Sequence, residues 1–299
     1  MRHFLEYIPV WLFYHGMRLA PRPVVKLFSW GVGRAVLRLH RKLRRVGLRN
    51  LELAFPGMPA AERIKILRGT FDSLGRLLAV IVTFSRWTPE NVHRYACYDG
   101  LEHYEAARAR GKGVLLLTAH VGGWEVGSYF HSLMGRPMHI VVRELDNPYL
   151  DRFVRRLRER HGNQTHDKNK FARGLLAAMR AGETVGVLMD TNMSPPQGVF
   201  VNFFGMPACT GSGVARVALH TDAAVVPAYT LWDPAERRYH VCFEPAIPAI
   251  RTGDTEADAV ANTQAYTAAL ERVIRAHPDQ WLWVHRRWKT RPEGEASLY

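Results

Sequence analysis

The stretch "LLLTAHVGGWEVGSYF", residues 115–130, decides the fold expected for this chain. An apolar run of strand length ends at His120, two glycines follow, and a segment with helical character begins at Trp124. A continuous apolar run of this length is typical of a strand that is buried on both faces, as in a parallel sheet. The stretch therefore predicts a buried strand, a glycine turn and a helix, with His120 and Glu125 close to the junction.

Strand and helix patterns alternate along most of the remaining chain. Predicted strands cover residues 113–120, 137–144, 184–190, 223–233 and 238–247, and predicted helices cover residues 101–113, 124–135, 147–162, 170–183, 211–222 and 255–280. Such alternation indicates βαβ units. The expected fold class is α/β, with a mostly parallel central sheet flanked by helices.

The first third of the chain has a different character. Residues 1–95 read as helical, and residues 96–299 as an α/β core that forms one continuous domain with them. The N-terminus is apolar and aromatic, but charged residues and Pro9 interrupt it, so a clean apolar span of about 20 residues is lacking. It also lacks the pattern of a signal peptide. We expect helices that lie in the membrane interface. A buried helical hairpin or a tilted, imperfect transmembrane helix are the alternatives.

The charge of the chain points to an anionic partner. The formal net charge is +14, and basic residues cluster in residues 38–49, 151–162 and 285–291. The clusters lie beside Trp and Leu, which favours an anionic lipid surface. Nucleic acid is disfavoured because no helix-turn-helix, zinc or RNA-binding signature is present. The three cysteines show no metal-ligand spacing, so neither a disulfide framework nor a metal site is expected.

The His–Glu spacing suggests acid–base chemistry. Residues five apart do not share a helix face, but His120 and Glu125 can meet if His120 ends a strand and Glu125 lies in the first helical turn. Glu125 would then accept a hydrogen bond from the imidazole and leave the other ring nitrogen as a base. Asp190 also ends a predicted strand, and ligands bind at the carboxyl ends of parallel strands, which is a reason to pair it with His120.

No motif in the chain supplies a nucleophile, so the nucleophile is expected to come from the substrate. The chain has no GxSxG elbow, HExxH motif or P-loop. A histidine–carboxylate pair without a protein nucleophile suits a base that deprotonates a substrate hydroxyl, which then attacks an acyl carbonyl. The spacing on its own also fits a chance occurrence, since the chain has 14 His.

The sequence resembles a known family in several segments. "TAHVGGWE", residues 118–125, is similar to the HxxxxD/E motif of the bacterial lipid A biosynthesis (late) acyltransferases, within the wider lysophospholipid acyltransferase family. Further similarity covers residues 48–63, 141–162, 182–219 and 278–295 in order. The resemblance implies a fold like that of the glycerol-3-phosphate acyltransferases.

The resemblance also implies an activity and a set of site residues. Such enzymes move a fatty acyl chain from a thioester of acyl carrier protein or coenzyme A to a hydroxyl of a lipid A precursor or related glycolipid, as a step of lipopolysaccharide synthesis. His120 would be the general base and Glu125 its partner. Arg158, Asp190 and Arg143 match family positions that bind phosphate or the thioester, or orient the acceptor. The thioester is a co-substrate, and no cofactor or metal is implied.

Further expectations follow from this reading. Backbone N–H groups from Gly122 and Gly123 to Trp124 would help to hold an oxyanion. An apolar groove would hold the acyl tail, and Phe200, Phe203 and Phe204 are candidates for its wall, with plain core packing as the alternative. The family likeness implies the cytoplasmic face of the inner membrane, with peripheral binding or one N-terminal anchor. The alternatives are an acyltransferase for another lysolipid or glycolipid, and a lipid hydrolase that uses the same pair.

Overall fold

The computed structural model describes residues 1–167 and 172–299. Its strands are β1 (Ala96–Asp99), β2 (Val114–Thr118), β3 (His139–Val142), β4 (Gln164–Asp167), β5 (Thr184–Leu188), β6 (Gly198–Phe203), β7 (Met206–Gly211), β8 (Ala224–Asp233) and β9 (Arg238–Phe243). Seven of them form one sheet with the order β1-β9-β8-β2-β5-β3-β4. Neighbours are parallel except for β8 and β9, which are antiparallel. The predicted α/β fold with a mostly parallel sheet is therefore confirmed.

Helices cover the sheet and form the N-terminal region. Those found in the described residues are α1 (Arg2–Leu19), α2 (Arg22–Leu39), α3 (Arg41–Ala54), α4 (Ala60–Thr83), α5 (Leu101–Ala109), α6 (Trp124–Leu133), α7 (Pro148–Arg158), α8 (Ala172–Arg180), α9 (Gly213–Thr221) and α10 (Thr255–Ala276). The first two residues of the helix predicted over 170–183 lie outside the described residues.

The central strand β2 is buried on both faces, as its apolar run predicts. Leu115 and Leu117 belong to a core that also includes side chains of α4, α9 and α10. Val114 and Leu116 belong to a second core with side chains of α4, α5 and α6. Burial of each such side chain contributes roughly 1.5 to 3 kcal/mol, so a strand of this composition is stable only between two helical layers.

The N-terminal helices pack on the core through α4. Gly33 of α2 and Gly75 of α4 lie where the two helices approach most closely. A Cβ on Gly33 would lie 2.5 Å from the Phe71 carbonyl oxygen, and one on Gly75 would lie 2.9 Å from that of Ser29. The division at residue 95 remains a prediction.

Helices α1 and α2 also carry many exposed apolar side chains: Phe4, Leu5, Val10, Trp11, Leu12, Leu19, Val24, Leu27, Phe28, Trp30 and Leu39. None of the helices in the described residues is both long and apolar enough to cross a membrane. Whether this region associates with a membrane remains a prediction.

Several strands of the structure were not predicted from the sequence. Strands β1 and β4 are four residues long, and β4 reads "QTHD", which has no apolar run. The antiparallel hairpin β6–β7 lies in a stretch that was not assigned to any strand. Short polar strands are formed because neighbouring strands supply the hydrogen bonds, which a pattern based on hydrophobicity does not register.

The C-terminal segment, residues 280–291, lies across the carboxyl ends of the strands. Trp281, Trp283, Arg287 and Trp288 are fully buried in it. The Asn50 side chain donates hydrogen bonds to the carbonyl oxygens of Trp283 and His285 and so ties the segment to α3. This placement brings the segment against the residues that follow β2.

Candidate active site

The pairing of β2 with β5 brings two distant residues together. The two strands are parallel neighbours, and Thr118 is in register with Leu188. His120 and Asp190 each lie two residues beyond this last pair, and the Met189 N–H continues the ladder by donating to the Thr118 carbonyl oxygen at 3.0 Å. In-register parallel strands therefore deliver both side chains to the same edge of the sheet, as predicted from their positions at strand ends.

Asp190 holds the His120 ring in a fixed orientation. Its Oδ1 lies 2.8 Å from Nδ1 of His120, and its Oδ2 accepts from the backbone N–H of His120 at 2.8 Å. Oδ2 also accepts from the indole N–H of Trp281 at 2.7 Å. Because the carboxylate is an acceptor, Nδ1 carries a proton and Nε2 is the basic nitrogen.

The electrostatics of this pair favour an ionised carboxylate beside a histidine that protonates readily. Burial opposes ionisation of Asp190, but the charge and hydrogen bonds of His120 outweigh it and lower the Asp190 pKa to about 2. Burial likewise lowers the His120 pKa, but the Asp190 charge and hydrogen bond more than reverse this, so the His120 pKa is raised. The His120 side chain remains 21% exposed, so a substrate can reach it.

Glu125 has a different partner from the one predicted. Its carboxylate forms a two-point ion pair with Arg158 of α7, in which Nε of Arg158 donates to Oε2 at 3.0 Å. The prediction that Glu125 accepts a hydrogen bond from His120 is therefore wrong, because Asp190 is the partner of Nδ1. Glu125 acts on His120 through charge, since it contributes to the raised His120 pKa after Asp190. The Arg158 pKa is raised because the Glu125 charge outweighs burial.

The glycine turn is required by close backbone contacts. Gly122 has a φ of +55°, and a Cβ there would lie 2.0 Å from the Thr230 carbonyl oxygen. The N–H of Gly122 donates to the Gln280 carbonyl oxygen, and the N–H of Gly123 donates to the Thr230 carbonyl oxygen, both at 2.8 Å. These bonds correct the expectation that both N–H groups are available to an oxyanion.

Trp124 differs from the two glycines in this respect. It is the first residue of α6, and no acceptor for its N–H occurs within the part of the chain that the structure describes. Its ring lies against the His120 ring, with 5.2 Å between the centroids. Of the three predicted N–H donors, the one that remains for a reacting group is therefore that of Trp124.

Other predicted residues lie apart from this pair. Arg143 is exposed after β3, where it forms an ion pair with Asp146 at 2.9 Å. Phe203 and Phe204 are buried in the core, where Phe203 packs on Trp281 and Trp288. They therefore belong to the core, which was the alternative to an acyl groove. Phe200 borders a shallow depression between the β6–β7 hairpin and α10.

An apolar cavity adjoins the site between α6 and the sheet; we refer to it as the α6 cavity. It measures about 670 Å³ including its open mouth. Glu125 and Arg158 line it together with apolar residues, among them Leu116, Met138, Ile140, Val142, Leu188, Ala228, Val241 and Phe243, and with Gly186 of β5. A glycine within a buried strand leaves room that any larger residue would fill.

His131 also lines the α6 cavity. Burial lowers its pKa to about 3, with further lowering by nearby arginines, so the ring is neutral and compatible with an apolar lining. Its Nδ1 is 2.9 Å from the Tyr98 hydroxyl. Neither His131 nor Trp281 was predicted as a site residue, because the burial of His131 on α6 and the contact of Trp281 with Asp190 arise only in the folded chain.

The arrangement defines a class of chemistry. The His120 ring is oriented by Asp190, and no serine, threonine or cysteine of the described residues hydrogen-bonds it. A base without a protein nucleophile activates a hydroxyl that another molecule supplies. The apolar cavity beside the base provides space for a hydrocarbon chain. The fold and site are thus those expected of a protein that acts on a lipid-like substrate by general base chemistry.

Comparison with known proteins places the chain in a family. Residues 2–290 match the model of the bacterial lipid A biosynthesis acyltransferases, and the chain belongs to this family. It is 30% identical over 299 residues to the lipid A biosynthesis lauroyltransferase of Escherichia coli strain K12, which covers 100% of this chain and 95% of that protein. The lipid A biosynthesis palmitoleoyltransferase of the same strain is 27% identical over 280 residues, which are 93% of this chain and 89% of that protein. The resemblance inferred from the sequence is confirmed, and acyl transfer in lipid A biosynthesis is the activity that the family supports.

Proposed function

We propose that the protein is a membrane-associated O-acyltransferase that moves a fatty acyl chain from an acyl thioester to a hydroxyl of a lipid A precursor or related glycolipid. The observation that carries the proposal is the His120 ring, held by buried Asp190 with Nε2 left as the base. The family membership supports the same reaction class. The thioester donor is acyl carrier protein or coenzyme A, and no resident cofactor or metal takes part in this reaction.

The reaction proceeds in two steps at one histidine. Nε2 of His120 removes the proton of the acceptor hydroxyl while the hydroxyl oxygen attacks the thioester carbonyl carbon. The resulting tetrahedral intermediate carries a negative oxygen, which the N–H of Trp124 at the start of α6 stabilises. The carbon–sulfur bond then breaks, and the imidazolium returns the proton to the leaving thiolate. Asp190 stabilises the imidazolium between the two steps.

Glu125 and Arg158 support the same charge separation. The Glu125 carboxylate contributes a second negative charge near His120, and Arg158 fixes its position through the two-point ion pair. The Arg158 guanidinium is thereby paired with the Glu125 carboxylate. We assign Arg158 the role of positioning Glu125, and both residues line the α6 cavity.

The α6 cavity is the proposed site for the acyl tail. Trp124, which packs on the His120 ring, lines it together with Glu125, Arg158 and His131. Burial of each methylene in such a cavity contributes about 0.8 kcal/mol. The depth of the cavity therefore selects the length of the acyl chain.

The charge and the N-terminal helices suggest where the protein acts. A net charge of +14 attracts both an anionic glycolipid and an acidic carrier protein. The exposed apolar side chains of α1 and α2 would enter the interfacial region of the bilayer, and arginines of the same helices would bind its phosphates. We propose that this membrane is the inner membrane and that the protein works at its cytoplasmic face.

Replacement of His120 tests the proposed reaction. We expect His120→Ala to lower transfer from an acyl thioester by about 10²- to 10⁴-fold, since general base catalysis contributes about that factor. His220→Ala is the matched control, because His220 is an exposed histidine of α9. Mass spectrometry of lipids from cells that lack the protein, with and without each variant, identifies the acceptor.

Retention of transfer within tenfold by a folded His120→Ala protein would contradict the proposal. A wild-type protein that releases free fatty acid without an acceptor, as fast as it transfers acyl chains, would instead support the hydrolase. Loss of an acyl chain from a lipid other than a lipid A precursor would identify the other class of acceptor.

Gly186 offers a test of the acyl-chain site. A Cβ at Gly186 would lie 3.3 Å from the Met138 sulfur. The variant Gly186→Leu is therefore expected to place its side chain in the α6 cavity, which Gly186 lines. If the added side chain displaces about three methylenes at about 0.8 kcal/mol each, kcat/KM for the longest accepted acyl chain falls about 50-fold. Shorter chains are accepted as before. Gly57→Leu, in an open turn, is the control, and an equal loss for all chain lengths would contradict this site.

Membrane association is tested with charge substitutions. We expect the triple variant Leu12→Glu, Leu27→Glu, Trp30→Glu to lose at least about tenfold in flotation with vesicles of anionic phospholipid, since each change removes an apolar group from the interface. The control triple is Ile64→Glu, Ile250→Glu, Val260→Glu, which alters exposed apolar residues outside α1 and α2. Equal flotation of both triples would show that α1 and α2 are not the membrane-binding surface.

A further inference from the structure

The outer face of strands β1 and β9 collects four side chains of metal-ligand type. The two strands are parallel, and their register places Cys97 beside His240 and Asp99 beside Cys242. Alternate residues share a face, so all four side chains lie on the side of the sheet opposite to the buried Tyr239, Val241 and Phe243. Two of the three cysteines of the chain thus meet in one square of side chains.

Three side chains of this square lie at distances near those of metal ligands, and the fourth, Cys242, adjoins them. The ligand atoms of Cys97, Asp99 and His240 all lie within 4.8 Å of one another. Nδ1 of His240 is 2.6 Å from Oδ2 of Asp99, and Sγ of Cys242 is 3.9 Å from the same oxygen. Ligand atoms around tetrahedral zinc are about 3.3 to 3.8 Å apart, given bonds of about 2.0 to 2.3 Å. Cys97, Asp99 and His240 therefore lie near such a spacing, and Cys242 would have to rotate toward them to complete it.

We propose that Cys97, Asp99, His240 and Cys242 form a binding site for a soft divalent cation, with Zn²⁺ as the best match. Two thiolates with one imidazole and one carboxylate select zinc over magnesium or calcium, which prefer sets of oxygen ligands. The site is accessible from solvent, since the Asp99 side chain is 53% exposed and the His240 side chain 17%. This function is separate from acyl transfer and does not depend on it.

The two thiols hold their protons in the absence of a metal ion, so binding has to displace them. Burial raises the pKa of Cys242 to about 12, and the neighbouring Asp99 adds to this effect. Burial also raises the pKa of Cys97. A divalent cation reverses this balance, because it deprotonates a coordinating thiol. Binding therefore releases the two thiol protons to solvent, and the proton that joins Nδ1 of His240 to Asp99 moves to Nε2 as the metal takes its place.

A metal ion at this site would cross-link the edge strand β1 to β9. Strand β1 is the edge strand next to β9, and it follows directly on the N-terminal helical region. Four bonds between β1 and β9 would restrict opening at this edge. The expected role is structural, because four protein ligands leave no open position for a substrate.

Cobalt titration of the full-length protein, after removal of any affinity tag, tests the site. Co²⁺ replaces Zn²⁺ in such sites, and its thiolate charge-transfer band in the near ultraviolet reports sulfur ligands. We expect one equivalent of Co²⁺ to produce this band and the visible bands of a tetrahedral ion, and one equivalent of Zn²⁺ to abolish both. Zinc should also raise the melting temperature.

Variants decide which residues bind the ion. The Cys97→Ser, Cys242→Ser double variant should lose the charge-transfer band, and His240→Ala should lose at least about tenfold in affinity. Cys209→Ala is the matched control, because Cys209 is the third cysteine and lies buried in the core. Circular dichroism of each variant establishes that it is folded.

Three outcomes would overturn the proposal: the absence of a charge-transfer band, a band that persists in the double cysteine variant, or loss of the band in Cys209→Ala. Cobalt binding without thiolate bands would indicate oxygen and nitrogen ligands, as in the neighbouring group of Asp233, Glu236 and His240. That result would also contradict a site built on the cysteines.

Discussion

The site depends on the register of one pair of parallel strands. Strand β2 pairs with β5 so that Thr118 lies beside Leu188, and the next two residues of each strand bring His120 to Asp190. A slip of the pairing by one residue would reverse the faces of all side chains on one strand. The ladder between the strands opposes such a slip, because five consecutive residue pairs and the hydrogen bond from Met189 to Thr118 would have to change together. The register of β2 and β5 thus fixes the position of the His120 ring.

Neighbouring residues determine the charge of Asp190 and the orientation of His120. Trp281 in the C-terminal segment gives Asp190 a further hydrogen bond, and the backbone of the same segment bonds the residues on either side of Val121. Burial would otherwise disfavour the ionised carboxylate, so the Trp281 hydrogen bond contributes to keeping it charged. The glycine turn then starts α6 beside His120. One arrangement therefore provides the proposed base, its orientation and a helix N-terminus.

The sequence predicted the fold well because its apolar runs are long and clear. It also predicted that His120 and Asp190 would lie at the same edge, since both follow strands. It could not predict that Asp190 takes the place expected for Glu125, because that depends on β5 being the neighbour of β2, although β3 and β4 lie between them in the chain. Spacing within the chain made Glu125 the more obvious partner.

The same limit applies to residues that only the tertiary structure brings together. Trp281 is 91 residues from Asp190, and its indole nitrogen has no local signal of its role. Cys97 and Cys242 lie far apart in sequence, so a search for metal-ligand spacing finds neither, whereas the pairing of β1 with β9 places them in one square. Long-range strand pairing is the information that patterns of nearby residues do not contain.

The pH dependence of acyl transfer tests the central claim that Asp190 is the residue that orients His120 and raises its pKa. The acid limb of kcat/KM reports the base of the free enzyme. We predict that Asp190→Asn moves this limb to lower pH, because the main cause of the raised His120 pKa is lost, and that Glu125→Gln moves it less. A limb that shifts in Glu125→Gln and stays in place in a folded Asp190→Asn protein would contradict the account.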